Sequence, residues 1–181
     1  MRLQVLDDFL SNEVLSSCIE EAELSESYRV LHGAGDGSYG FKYSWMVYDS
    51  GDKNGKLENN FLSLWSEISS RIAEKTRVHR CYVNAHTYGV EDAIHEDDTD
   101  LENGLTVIVY LCRAWYPEWF GQTVFWEHLD KMTHNDIIQS VIPKPNRVLI
   151  FDKKIPHCVA PLSRRFSGVR LTCMFKLEIL D

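Results

Sequence analysis

The sequence has little of what marks several large protein classes. Its five cysteines, Cys18, Cys81, Cys112, Cys158 and Cys173, are odd in number, scattered and never arranged as CxxC. That excludes a disulfide framework and a zinc ribbon, and it suits a reducing compartment. No apolar stretch approaches the roughly 20 residues of a membrane span. The opening MRLQVLDDFLSNEVL places acids where a secretory signal needs an unbroken apolar core. A soluble, cytoplasmic, unprocessed chain is the expectation. Cations are also short: 19 Lys and Arg stand against 27 Asp and Glu, for a formal net charge of −8. This balance argues against a nucleic-acid partner, whose phosphates are neutralised by clustered Lys and Arg. The sequence has no internal repeat and no low-complexity tract.

What remains is an ordinary globular composition, 44% hydrophobic and 25% charged over 181 residues. Such a chain can build one domain with a sizeable core and is short for two. We expect a single domain, 1–181, in which 1–77 supplies helical and lid elements and 78–181 the core. Ser11 is placed to cap a helix reaching about Leu24, with Val14, Leu15, Cys18, Ile19 and Ala22 at helical spacing. A second helix is predicted from about Glu58 to Lys75 by the apolar face Phe61, Leu62, Leu64, Trp65, Ile68, Ile72 and Ala73.

Between the helices lies HGAGDGSYGFKYSWMVYDSGDKNGK, which reads as turns around a short strand pair. Its GDGSYG matches GxGxxG in form, but no helix pattern follows to aim amides at a pyrophosphate. Gly35 to Lys56 is expected to be a mobile lid. From Val78 onward the pattern is of strands: VHRCYVNAHTY, LTVIVYLC, QTVFWEHL, DIIQSVIP, RVLIFD, HCVAPL and VRLTCMFKLEIL. Short strands at this spacing predict a mainly β fold with flanking α-helices, a jelly roll rather than βαβ units.

The densest chemistry lies in YVNAHTYGVEDAIHEDDTD, Tyr82 to Asp100. His95-Glu96-Asp97 is an H-x-D, and side chains two apart on an extended segment point the same way. His157, just after RVLIFD, can add a second imidazole from a neighbouring strand. Two imidazoles and one carboxylate occupy one face of a metal and leave positions open for reactants, the pattern of a mononuclear non-haem Fe(II). Asp98 is the less favoured substitute for Asp97, since it points to the opposite face. A second H-x-D, His134-Asn135-Asp136, sits in the polar run EHLDKMTHND, about twenty residues before His157, with little room for intervening strands. His134 and Asp136 are therefore expected at the surface.

Taken in order, YVNAHTYGVEDAIHEDD, LTVIVYLCRAWYPEWFGQTVF and VIPKPNRVLIFDKKIPHCVAPLSRRFSGVRLTCMF resemble the core motifs of Fe(II)/2-oxoglutarate-dependent dioxygenases, most closely the prolyl-4-hydroxylase-like group. The resemblance spans about Tyr82 to Phe175 and, more loosely, LQVLDDFLSNEVL. It implies a double-stranded β-helix with His95, Asp97 and His157 as the catalytic Fe(II) ligands. It also implies 2-oxoglutarate and O₂ as co-substrates, ascorbate as an auxiliary, and succinate and CO₂ as co-products. Asp97 stands where similar halogenases have a small residue, so hydroxylation is implied.

Arg170, in VRLTCMF, resembles the family's 2-oxoglutarate arginine at a slightly longer gap than usual. A guanidinium suits that role because it stays charged and grips both oxygens of a carboxylate. Tyr110 takes the place of the Tyr in a Y-L-N run, although Cys112 replaces the Asn. Asn84 and His86 fall on an N-x-Y-x-x-G pattern ending at Gly89, with His86 in place of the Tyr. Thr172 shares Arg170's face and can support the same carboxylate. Arg164 and Arg165, in the preceding turn, are expected as surface charges.

The leading substrate expectation is a prolyl residue of a peptide or protein. The alternatives are a free amino acid, another small molecule or an alkylated base, and a metal-binding jelly roll without turnover. Tyr39, Phe41, Tyr43, Trp45 and Tyr48, and later Trp115, Tyr116, Trp119 and Phe120, are expected to flank the barrel mouth and offer stacking surfaces. Nothing in the sequence sets the oligomeric state.

Overall fold

Ser11 opens the first helix by accepting from Val14 N at 3.3 Å. This helix, α1, runs Asn12–Glu23 and closes at Leu24, whose N–H reaches Glu20 O at 2.9 Å. The computed structural model describes residues 2–25, 29–32, 43–49, 59–90, 92–97, 101–128 and 136–180, with 29–32 and 43–49 described by backbone alone.

The second helix, α2 (Asn59–Ser69), stops short of the expected Lys75. Ser69 Oγ and Ser70 Oγ bond back to Ser66 O and Glu67 O at 3.2 and 2.8 Å, and Arg71 N turns to Ile68 O at 3.0 Å. Serines that compete for backbone carbonyls, with a tightened last turn, end the helix there. Ile72 is buried all the same, so the apolar face outlasts the helix. Among the described residues no helix is long and apolar enough to cross a membrane.

Among the described residues ten strands follow the chain: β1 (Leu3–Leu6), β2 (Arg29–His32), β3 (Tyr43–Asp49), β4 (Thr76–His86), β5 (Gly104–Leu111), β6 (Thr123–Trp126), β7 (Ile137–Val141), β8 (Val148–Asp152), β9 (His157–Val159) and β10 (Arg170–Ile179). The seven segments expected after Val78 correspond to β4 through β10. They form a seven-stranded sheet, ordered β1-β8-β5-β10-β4-β3-β2, and a three-stranded sheet, β7-β6-β9. Every pairing is antiparallel, and His95 adds a bridge to His157 at the edge of the small sheet. The architecture is a double-stranded β-helix with two helices.

Within the expected lid, residues 43–49 are a ladder strand paired to β4, with Trp45 opposite Ala85 and Asp49 opposite Tyr82. That portion is a strand of the large sheet, its backbone paired to β4 on one side and β2 on the other. Residues 35–42 and 50–56 of the lid lie outside the described residues, as do Tyr39 and Phe41 and the side chains of Tyr43, Trp45 and Tyr48.

Strand parity positions the site. Successive strand residues face opposite sides, and β5 and β10 are buried over most of their length because both sides of the large sheet are covered. One face, with Cys81, Val83, Ala85, Val107, Val109, Leu171, Cys173 and Phe175, packs against Leu15, Cys18 and Ile19 of α1 and Phe61, Leu64 and Ile68 of α2. The other face gives Ile108, Tyr110, Leu149, Phe151 and Met174, which meet Phe125 and Val141 of the small sheet. Arg170, Thr172 and Lys176 share Met174's parity and so enter the barrel.

The base of the fold is pinned by Asn146, which adopts φ 58°, a conformation asparagine tolerates. Its amide exchanges two 2.7 Å bonds with the backbone of Leu10. This ties the segment leading into α1 to the turn before β8.

Candidate metal and co-substrate site

His95 and His157 are paired through their backbones, and their ring centroids lie 4.6 Å apart. Each Nδ1 donates to a carbonyl two residues back, His95 to Ala93 O and His157 to Ile155 O, both at 2.9 Å. A carbonyl can only accept, so Nδ1 carries the proton in both rings, and Nε2 is the ring atom left to meet a metal. Burial pushes the His157 pKa down to about 4, which keeps that imidazole neutral at neutral pH. Phe151 and Phe125 close around it, with ring centroids 4.9 and 6.1 Å from its own.

Asp97 is placed by its amide, which donates to Lys153 O at 3.1 Å. Its Oδ1 lies 3.8 Å from His157 Nε2, while Oδ2 meets Lys176 Nζ at 2.5 Å and accepts from Thr106 Oγ1. Burial raises the Asp97 carboxyl, but the Lys176 ammonium and its other neighbours outweigh that and hold it down at about 2. One ligand atom from each of His95, Asp97 and His157 lies within 4.8 Å of the others. Two imidazoles whose Nδ1 atoms are engaged by carbonyls, together with an ionised carboxylate, form a donor set suited to one divalent ion with open positions.

Asp136 is exposed, as expected, and His134 lies outside the described residues, as does Asp98.

Deeper along the strands, Arg170 is 1% exposed. Its Nε donates to Gly121 O at 2.9 Å and its Nη2 to Thr123 Oγ1 at 3.2 Å, while its guanidinium carbon sits 5.3 Å from the centroid of the Tyr110 ring. Thr123 Oγ1 is 2.7 Å from the Tyr110 hydroxyl, which donates to Val141 O at 3.3 Å. Among the described residues no carboxylate pairs with this buried guanidinium within ion-pair distance. A buried cation is costly without a counter-charge; the Asp92 carboxylate acts on it from beyond ion-pair distance, and the pocket can accept a further anion.

Across the β4–β10 ladder Arg170 faces His86 and Thr172 faces Asn84. Asn84 Oδ1 and His86 Nδ1 are buried without a hydrogen-bond partner among the described residues, and His86 Nε2 lies 3.3 Å from Asp92 Oδ2. Burial raises the Asp92 carboxyl, and the His86 ring beside it outweighs that and lowers it. The structure thus brings Asn84, His86, Tyr110, Arg170 and Thr172 to one interior face. Cys112, at the place of the family's Asn, packs against the inner cluster. Arg164 and Arg165 are exposed, Arg164 Nε donating to the Tyr88 hydroxyl at 2.9 Å.

Sequence reasoning missed Thr106, Thr123, Asp92 and Lys176. Trp115 and Trp119 pack on Phe166, with centroids 5.0 Å apart in both pairs. A side chain at Gly121 would touch both Trp115 and Arg170, each 3.3 Å away. The aromatic segment therefore lies at the Arg170 end of the barrel, while Asp97 meets the opposite end of β5 at Thr106.

The sequence pattern of the 2OG-Fe(II) oxygenase superfamily matches residues 81–176, more than half of the chain. The chain belongs to this superfamily. Oxygenases of this superfamily use Fe(II), 2-oxoglutarate and O₂. No curated protein matches the chain. Solved structures with the same fold include a Pseudomonas putida prolyl-4-hydroxylase, 15% identical with TM-score 0.65, covering 97% of this chain and 92% of that one. Another is a Trichoplax adhaerens prolyl hydroxylase in complex with a hypoxia inducible factor oxygen degradation domain peptide fragment, 16% identical with TM-score 0.60, covering 97% and 83%. A third is the viral collagen prolyl hydroxylase of Paramecium Bursaria Chlorella virus-1 in its 2-oxoglutarate complex, 14% identical with TM-score 0.58, covering 99% and 97%.

Proposed function

We propose that this oxygenase hydroxylates an aliphatic C–H of a prolyl residue in a peptide or protein, with His95, Asp97 and His157 holding the iron. The observation that carries the reading is one barrel interior with a partly buried two-histidine, one-carboxylate cluster and, among the described residues, a buried guanidinium with no carboxylate within ion-pair distance. Fe(II), when bound, supplies open coordination positions and the redox chemistry that couples O₂ to 2-oxoglutarate. His95 and His157 offer Nε2 because their Nδ1 protons are committed to carbonyls. Arg170, steadied by Gly121, Thr123 and Tyr110, grips the distal carboxylate of 2-oxoglutarate. Thr172, Asn84 and His86 offer further polar contacts on the same face. Leu149, Phe151 and Met174 keep the interior dry, which strengthens each charged contact.

The prolyl assignment draws support from the prolyl hydroxylases that share the fold, one of which holds a peptide. The test is incubation with Fe(II), 2-oxoglutarate and ascorbate against prolyl peptides and free amino acids, reading succinate and the gain of one oxygen atom. Oxygen gained by a prolyl peptide supports the proposal. Oxygen gained only by small molecules moves the substrate class, and no succinate with any substrate turns the chain into a binding module.

A further inference from the structure

Lys176 belongs neither to the metal cluster nor to the pocket around Arg170. It lies six residues further along the inward face of β10, its side chain 7% exposed. Its Nζ stands 2.5 Å from Asp97 Oδ2 and donates to Thr106 Oγ1 at 3.4 Å, and Thr106 donates to that same carboxylate oxygen. The Tyr82 ring faces the ammonium at 5.8 Å. Oδ2 is thus taken by two donors, while Oδ1 faces His157 Nε2 at 3.8 Å.

Resting on the reading of Asp97 as a metal ligand, we propose that Lys176 is a positioning residue that reserves Oδ2 and presents the carboxylate to the metal through Oδ1 alone. A carboxylate free to turn can chelate with both oxygens. With two imidazoles it then fills four of six octahedral positions and leaves two, one fewer than a chelating 2-oxoglutarate and O₂ require together. Held by Lys176 and Thr106, it fills one position and leaves room for both. The charge matters as well as the bond, since an ammonium beside Oδ2 opposes a second cation there.

The experiment loads the protein with Co(II), reads its visible d–d absorption without 2-oxoglutarate, then titrates 2-oxoglutarate. In Lys176→Met, Co(II) binding is retained and its d–d bands shift as the second carboxylate oxygen replaces a water in the shell. The 2-oxoglutarate affinity of this variant falls about tenfold. Lys176→Arg restores both readings toward the original. An unchanged Co(II) spectrum in Lys176→Met overturns the proposal, even if 2-oxoglutarate binding weakens, because Lys176 then acts on the co-substrate itself. If circular dichroism shows Lys176→Met unfolded, Lys176→Gln is read by the same criteria. Asp97→Ala separates the premise from the inference: it should lose the Co(II) site, and an unaltered spectrum would refute the ligand assignment and the proposal together.

Discussion

His95 and His157 exchange backbone hydrogen bonds, His95 N to His157 O at 3.0 Å and His157 N to His95 O at 2.9 Å. The bridge uses no ring atom, so it survives when either imidazole is removed. His95→Ala and His157→Ala are therefore expected to stay folded and to lose metal, as is Asp97→Ala. Metal titration followed by succinate release checks this, with activity expected to fall at least a hundredfold in each variant. Asp136→Ala and His134→Ala should keep nearly full activity. A dead Asp136 or His134 variant would mean that the wrong H-x-D had been chosen.

Arg170→Lys keeps the charge and loses the planar fork. The amine cannot hold Gly121 O, Thr123 Oγ1 and a carboxylate in the same geometry. Loss of one charge-assisted bond, roughly 1.5 kcal/mol, corresponds to about a tenfold rise in the 2-oxoglutarate concentration needed. Metal affinity should be unchanged. Arg164→Lys, on an exposed turn, should leave the titration where it was, and an indifferent Arg170→Lys would remove Arg170 from the pocket.

What could be read in the sequence was what depends on local period. Seven strands and the start of α1 followed from alternation and from Ser11, and His95, Asp97 and His157 met because H-x-D spacing and a strand-end histidine are local signals. Arg170 was placed inside by its resemblance to the family's arginine, and Thr172 by sharing its strand parity. The same parity puts Lys176 inside, but its meaning rests on Asp97 arriving from an aperiodic segment 79 positions earlier in the numbering. Thr123 comes from the opposite sheet, and Asp92 from an aperiodic segment in which no spacing marks it as a partner of His86. The end of α2 depended on serine side chains turning back on the backbone, which the apolar face, continuing through Ile72, concealed.

Asp7 accepts from Arg147 Nε at 2.6 Å and Lys144 Nζ at 2.9 Å, tying the end of β1 to the approach to β8. The Arg147 bond, opposed by burial and aided by Lys144, holds the Asp7 carboxyl far below the usual carboxylate range. A depressed folded pKa stabilises above the unfolded value of about 3.9 and loses that contribution as pH falls through the folded pKa. Asp7→Asn should therefore cost stability at pH 7, about 0.5 kcal/mol given that the side chain is 34% exposed. Denaturant melts should show the gap closing as the pH is lowered below 4, and a gap that widens on acidification would contradict the pairing.

Gly121 holds the Arg170 pocket open by what it lacks. Its φ is 71°, and a Cβ built there would lie 2.6 Å from Leu162 Cδ2 and 3.3 Å from both Arg170 Cδ and Trp115 Cζ2. Its carbonyl is also the acceptor for Arg170 Nε. Gly121→Ala therefore acts twice: the left-handed backbone costs roughly 1 kcal/mol with a side chain, and Leu162 or the guanidinium has to move. The expected outcome is a lower melting temperature together with a severalfold weaker requirement-limited response to 2-oxoglutarate, while metal titration matches the unaltered protein because His95, Asp97 and His157 touch none of these atoms. Metal loss in Gly121→Ala would show that the two ends of the barrel interior are coupled, and an unchanged 2-oxoglutarate titration would show that Arg170 does not depend on the Gly121 carbonyl.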